Sequence, residues 1–194
     1  TGPQVYGGLA GLFLVSDDEE RSAGLPDGKN DIPLVIQDRS FDDNNQLVYL
    51  SGHRMEQMTG FLGDRVLVNG LPDFNLNVAT TAYRLRLLNG SNSRIYKLAW
   101  HDGQPLTVIG TDGGLLEKPV KRRYVMLGPG ERLDIWADFS QFSIGSELDL
   151  VSLPFEAGPI GGGHMRRGMM GSGSHLPNGA GFSILRVTVN RQGK

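Results

Sequence analysis

The sequence predicts an all-β fold, a Greek-key β-sandwich or barrel, and three observations predict it. Short stretches of alternating apolar and polar residues recur along most of the chain. Tight-turn dipeptides punctuate them, and no segment keeps a helical apolar period for more than about two turns. Many short strands joined by regular turns suit two packed sheets or a closed barrel better than any helical architecture.

Taken in order, the first apolar run, "VYGGLAGLFLV" (5–15), is followed by the charged, turn-rich "SDDEERSAGLPDGKND". That second stretch has almost no core residues and reads as a linker over 16–30. Its acidic run, Asp17 to Glu20, is expected to be a solvated segment. A compact domain is expected over 31–191, with 1–15 as the last strand of a neighbouring domain. Within 31–191 the predicted strands are Ile32 to Ile36, Gln46 to Leu50, Arg65 to Val68 and Phe74 to Val78, then Tyr83 to Leu87 and the strand ending in "IYKLAWH" (95–101). Leu106 to Ile109, Tyr124 to Leu127, Leu133 to Ala137, Leu148 to Leu153 and Phe182 to Val189 follow. In Tyr83 to Leu87 the apolar residues face a core, and Arg84 and Arg86 are expected on the wet side. Asn-Gly at 69–70 and 89–90, Asp-Gly at 102–103 and 112–113, and Pro-Gly at 129–130 favour the tight turns of antiparallel strands.

Composition narrows the function. With 39% hydrophobic and 21% charged residues and a net charge of -2, the chain is an ordinary globular one. No apolar run approaches the roughly 20 residues of a membrane span. The densest basic group, Lys118 with Lys121, Arg122 and Arg123, is short and has acids nearby, which argues against a nucleic-acid partner. With no cysteine in the chain, a disulfide framework, a zinc-thiolate site, an iron–sulfur cluster and a thiol nucleophile are all excluded.

Familiar catalytic motifs fail in turn. "GSGSH" (171–175) does not centre a serine as a nucleophile elbow does. Gly163 to Gly168 has phosphate-loop spacing, but Met169 and Met170 stand where Lys and Ser/Thr would have to be. The carboxylate pairs Asp17-Asp18 and Asp42-Asp43 fit turn chemistry. Asn89-Gly90-Ser91 matches a glycosylation acceptor and reads more simply as a hairpin turn. Of the four histidines, His53 beside Met55 and Met58, and His101 at a strand end, read as surface or turn positions. "GGGHMRRGMMGSGSH" (161–175) places His164, Met165, Met169, Met170 and His175 together, and imidazole with thioether sulfur suits Cu(I). Against a tight site there, the glycines would lose much backbone entropy on closing around an ion, and Arg166 and Arg167 would add two positive charges. A flexible loop, with weak Cu(I) binding at most, is the expectation.

Six strings then stop looking generic: "TGPQVYGGLAGLFLV" (1–15), "DIPLVIQDRSF" (31–41), "GFLGDRVLVNG" (60–70), "YRLRLLNGSNSRIYKL" (83–98), "PLTVIGTDGGLLEKPV" (105–120) and "LGPGERLDIWADF" (127–139). Together and in this order they resemble bacterial three-domain multicopper oxidases, the laccases and cuprous oxidases. The resemblance implies a cupredoxin-like fold, with 1–15 closing the first domain, 31–191 forming the second, and the first and third domains as partners. It implies a periplasmic or secreted parent that oxidises phenols, aryl amines or metal ions one electron at a time and reduces dioxygen to water. The family's copper ligands are His-x-His motifs and a cysteine site in the outer domains. None occurs here, so no catalytic or copper-binding residue carries over and no cofactor is expected in this chain, which is read as a structural spacer. Two alternatives remain: a copper-free scaffold of the same architecture, such as the cell-division factor resembling these oxidases, and a Cu(I)-binding module built on the His/Met segment.

Overall fold

The computed structural model describes residues 1–49, 60–157 and 176–193. Among these the chain forms thirteen strands, two one-turn helices and one 3-10 turn. The strands are β1 (Asp31–Phe41), β2 (Leu47–Val48), β3 (Arg65–Val68), β4 (Leu71–Pro72), β5 (Asn75–Ala79), β6 (Ala82–Asn89), β7 (Tyr96–Trp100), β8 (Leu106–Thr111), β9 (Gly114–Arg122), β10 (Val125–Leu127), β11 (Arg132–Asp138), β12 (Glu147–Ser152) and β13 (Phe182–Arg191). They make two sheets. One runs β4-β3-β1-β6-β11-β8-β9, with β2 paired to the end of β1, and the other runs β10-β7-β12-β13-β5. Pairings are antiparallel except β1 with β6 and β13 with β5, so two crossovers tie the layers in Greek-key fashion.

The side-chain period of two builds the core. Leu34 and Ile36 of β1, Leu85 and Leu87 of β6, and Leu133 and Ile135 of β11 point inward from the first sheet, against Leu98, Trp100, Leu150, Leu185 and Val187 of the second. Burying each such side chain stabilises the fold by about 1.5–3 kcal/mol. At 69–70 the Asn-Gly pair turns β3 into β4 with φ of 51° and 80°, the double left-handed geometry of a primed hairpin turn.

Four expectations are corrected. Residues 1–15 hold no strand; Gly2–Tyr6 is a helix, α1, and 7–17 is irregular. Tyr6, 3% exposed, packs this helix against β1 and β2. Second, the acidic run is not simply solvated: Asp17 caps the helix α2 (Asp18–Ser22) by accepting from the Glu20 N–H at 2.8 Å, and Glu20 turns inward. Third, the outer face of β6 is covered, not wet. Glu20 bridges Arg84 and Arg86, Arg86 also holds Asp31 at 2.7 Å, and Arg84 holds Asp134. Fourth, Asn89-Gly90 is no hairpin turn, because β6 and β7 lie in different sheets. Asn89 is fully buried, its Nδ2 donating to the carbonyls of Arg94 (2.8 Å) and Leu127 (2.9 Å), which also hides the glycosylation acceptor.

Candidate functional site

The structure gathers its buried polar residues along the second half of β1 and the crossing from β6 to β7. Asp38, 1% exposed, sits on β1 in a run of four buried residues, Ile36 to Arg39, that ends a strand begun by apolar side chains. Arg94, also 1% exposed, comes from the 90–95 crossing. Its Nε donates to Asp38 Oδ2 at 2.8 Å, and its Nη2 donates to the carbonyls of Gly63 (2.7 Å) and Leu176 (2.8 Å). Asp38 Oδ2 also accepts from Gly63 N–H at 2.8 Å. Gly63 has no alternative here: a Cβ would lie 2.4 Å from the Arg39 backbone nitrogen. One ion pair thus binds β1, the sheet-to-sheet crossing, the approach to β3 and the approach to β13.

Around it the polar groups are matched. Ser91 Oγ accepts from Asp38 N–H at 3.1 Å and shares a 2.8 Å bond with Tyr96 Oη. Burial pushes the Tyr96 hydroxyl well above its usual range, with the Asp38 charge adding to the shift. Arg94 lies over the Phe182 ring at 5.6 Å. Beside this network Arg39 stacks on Tyr6 at 4.6 Å and donates to the Val5 carbonyl at 3.0 Å. Burial lowers the Arg39 guanidinium and raises the Tyr6 phenol. Tyr6 Oη donates to the Val48 carbonyl and accepts from Ser40 N–H at 2.9 Å, while its ring stacks on Tyr49 at 4.4 Å. Every one of these groups is engaged in holding chain segments together; this is the chemistry of a clamp rather than of proton transfer.

A second polar feature is a cleft of about 830 Å³ between β3 and β13, lined among others by Asp64, Arg65, Asp73, Phe74, Asp149 and Arg186. Arg186 donates to Asp149 at 2.8 Å and holds the carboxyl below its ordinary range.

The residues singled out from the sequence fall elsewhere. His164, Met165, Met169, Met170 and His175 lie outside the described residues, as do His53, Met55 and Met58. His101 is exposed in the turn after β7. Among the described residues no group of three or more His, Cys, Asp or Glu could hold a metal ion. Copper of the blue type needs a thiolate, and the described donor set offers one exposed imidazole and no sulfhydryl; it does not fit such a centre. Sequence reasoning missed Asp38, Arg39, Arg94 and Tyr6. The signal was present in "IQDRSF", where consecutive charges interrupt a strand that alternation would otherwise carry into the core.

A profile of the multicopper oxidase family matches residues 31–146. The chain belongs to that family. Its β-sandwich superposes on the McoA multicopper oxidase of the hyperthermophile Aquifex aeolicus with a TM-score of 0.81 at 36% identity, using all of this chain and 39% of that one. It is similar also to CueO, a laccase-like multicopper oxidase of Ochrobactrum, with a TM-score of 0.79 at 31% identity and 39% of that chain covered. Among curated relatives, the cell division protein FtsP of Escherichia coli is 43% identical over 153 residues, 78% of this chain. The chain spans 31% of the length of that relative. The fold is therefore the cupredoxin-like sandwich of multicopper oxidases.

Proposed function

We propose that this chain is the copper-free middle domain of a three-domain multicopper-oxidase-type protein, a rigid spacer whose outer neighbours carry the redox centres. The carrying observation is a full cupredoxin-like sandwich in a chain that has no cysteine and whose described part brings no metal-ligand cluster together. A protein domain that keeps such a core while lacking the donors contributes shape and interface. Its interface is foreshadowed by the segment between α1 and α2, where Leu9, Phe13 and Val15 are 71%, 92% and 73% exposed. Side chains so apolar and so open fit contact with a neighbouring domain, in keeping with 1–15 closing a first domain. The clamp at Asp38 and Arg94, with Tyr6 beside it, would hold that junction at a fixed place on the spacer.

For the parent protein we infer a laccase-like oxidase, periplasmic or secreted, that couples one-electron oxidation of phenols, aryl amines or metal ions to reduction of dioxygen. The 36% identity to a multicopper oxidase over the whole of this chain supports that assignment. A second reading is favoured by the identity of about two residues in five to proteins named for cell division: a copper-free scaffold of the same architecture. Copper analysis of the whole protein, purified after growth with copper, separates them. Bound copper with an intense blue absorption supports the oxidase. A colourless, copper-free whole protein that stays so after reconstitution overturns it in favour of the scaffold.

A further inference from the structure

The sequence places acids near the basic group at 118–123, but the structure leaves its cations without ion-pair partners among the described residues. Strand β9 is the outer strand of one sheet and β10 the outer strand of the other, and the two are joined directly by Arg123 and Tyr124. This edge of the sandwich therefore presents Lys118, Lys121, Arg122 and Arg123, all exposed, with Glu117 as the one carboxylate on β9. Nearby acids are otherwise engaged: Asp112 holds Arg132 at 3.0 Å, and Asp102 accepts from Gln104 at 2.8 Å. In a chain of net charge -2 the edge is a local cationic strip.

Lysines and a proline on an outer strand ordinarily guard it against pairing with another chain. Pro119 does this for β9, since it has no N–H to offer an added strand. Guarding does not account for what accompanies the charges. Leu115 on β9, Tyr124 in the link and Met126 on β10 are 40%, 48% and 41% exposed. Lys97, paired across from Met126, holds its ammonium over the Tyr124 ring at 4.4 Å. Cations interleaved with an aromatic ring and flexible apolar side chains, beside a proline that interrupts strand addition on β9, match a flat anionic surface with an apolar interior.

We propose that the β9–β10 edge docks this protein on anionic lipid bilayers, the cations meeting phosphate head groups and Tyr124, Met126 and Leu115 entering the interface. Tyrosine favours that depth, and each basic residue near an anionic surface adds roughly fivefold in affinity.

The test is co-sedimentation of the chain, and of the longer protein that contains it, with vesicles of phosphatidylcholine alone or mixed with phosphatidylglycerol. Binding is expected only to the mixed vesicles. It should fall at least about tenfold in Lys121→Glu/Arg122→Glu/Arg123→Glu, and severalfold in Tyr124→Ser/Met126→Ser, which keeps the charges. Unchanged thermal unfolding identifies variants that still fold. The proposal is overturned if mixed vesicles are not bound, or if the longer protein fails to bind because another domain covers the edge. It is also overturned if Tyr124→Ser/Met126→Ser binds vesicles like the parent chain while soluble polyglutamate competes fully, which would assign the strip to acidic protein segments.

Discussion

Arg94 Nε stands 2.8 Å from Asp38 Oδ2, with both side chains only 1% exposed, and the two residues are 56 positions apart in sequence. Removing Arg94 leaves Asp38 a buried, uncompensated charge and severs two attachments to backbone carbonyls, those of Gly63 and Leu176. Arg94→Met is expected to lower unfolding free energy by about 3–5 kcal/mol, measured by urea denaturation. Asp38→Leu/Arg94→Met, which removes both charges, should cost clearly less than the sum of the single changes.

Tyr6 ties the N-terminal helix to β1 and β2. Tyr6→Phe keeps the ring stack with Tyr49 and loses the hydroxyl, leaving the Ser40 N–H without its acceptor. About 1–3 kcal/mol of destabilisation is expected. Tyr6→Ala should cost about 3 kcal/mol or more. If thermal unfolding of both variants matched the parent chain, α1 would not belong to this domain's fold.

Glu20 carries the linker's attachment to the sandwich. Burial alone would raise its carboxyl, but hydrogen bonds from Arg84 and Arg86 outweigh it and hold the group below its ordinary 4.5. A carboxyl depressed in the folded state stabilises it fully above the unfolded value, and that stability is lost as pH falls through the folded one. Glu20→Gln is therefore expected to be less stable than the parent at neutral pH, with the difference narrowing as the solution is acidified below 4.5. Hydrogen exchange over residues 16–30 at several pH values reads the effect locally, and a gap that widened in acid would contradict it.

Asn89 is expected to remain unglycosylated even in a glycosylating host, which intact mass reads directly, because its side chain is enclosed. Asn89→Ala removes bonds to Arg94 and Leu127 and the acceptor of Ser91 N–H at 2.9 Å. It should cost about 2–3 kcal/mol, visible as a lower Tm.

Alternation made much of this fold legible: Tyr83, Leu85 and Leu87 point to the core because successive residues of a strand face opposite sides. It could not show what covers the other face, since the partner of Arg84 and Arg86 is Glu20, more than sixty positions away. The same limit hid the clamp: nothing local to "QDRS" names Arg94 as its counter-charge. The two Asn-Gly pairs make the point within one dipeptide. Asn69 adopts the left-handed turn its type favours, whereas Asn89 ends β6 with its amide buried among carbonyls, a role set by the crossing between sheets. Strand β9 escaped notice because its exposed edge carries charges and a proline where a core strand would alternate.

The central proposal is that this chain, which has no cysteine, serves as a spacer without a copper centre of its own. Its most direct test is the copper content of the isolated chain after loading with Cu(I) under anaerobic conditions and with Cu(II), followed by gel filtration against a competing chelator. The expected result is a colourless protein retaining far less than one copper per chain. One tightly held copper per chain, lost in Met169→Ala/Met170→Ala or in His164→Ala/His175→Ala, would contradict it and make the His/Met segment a metal site.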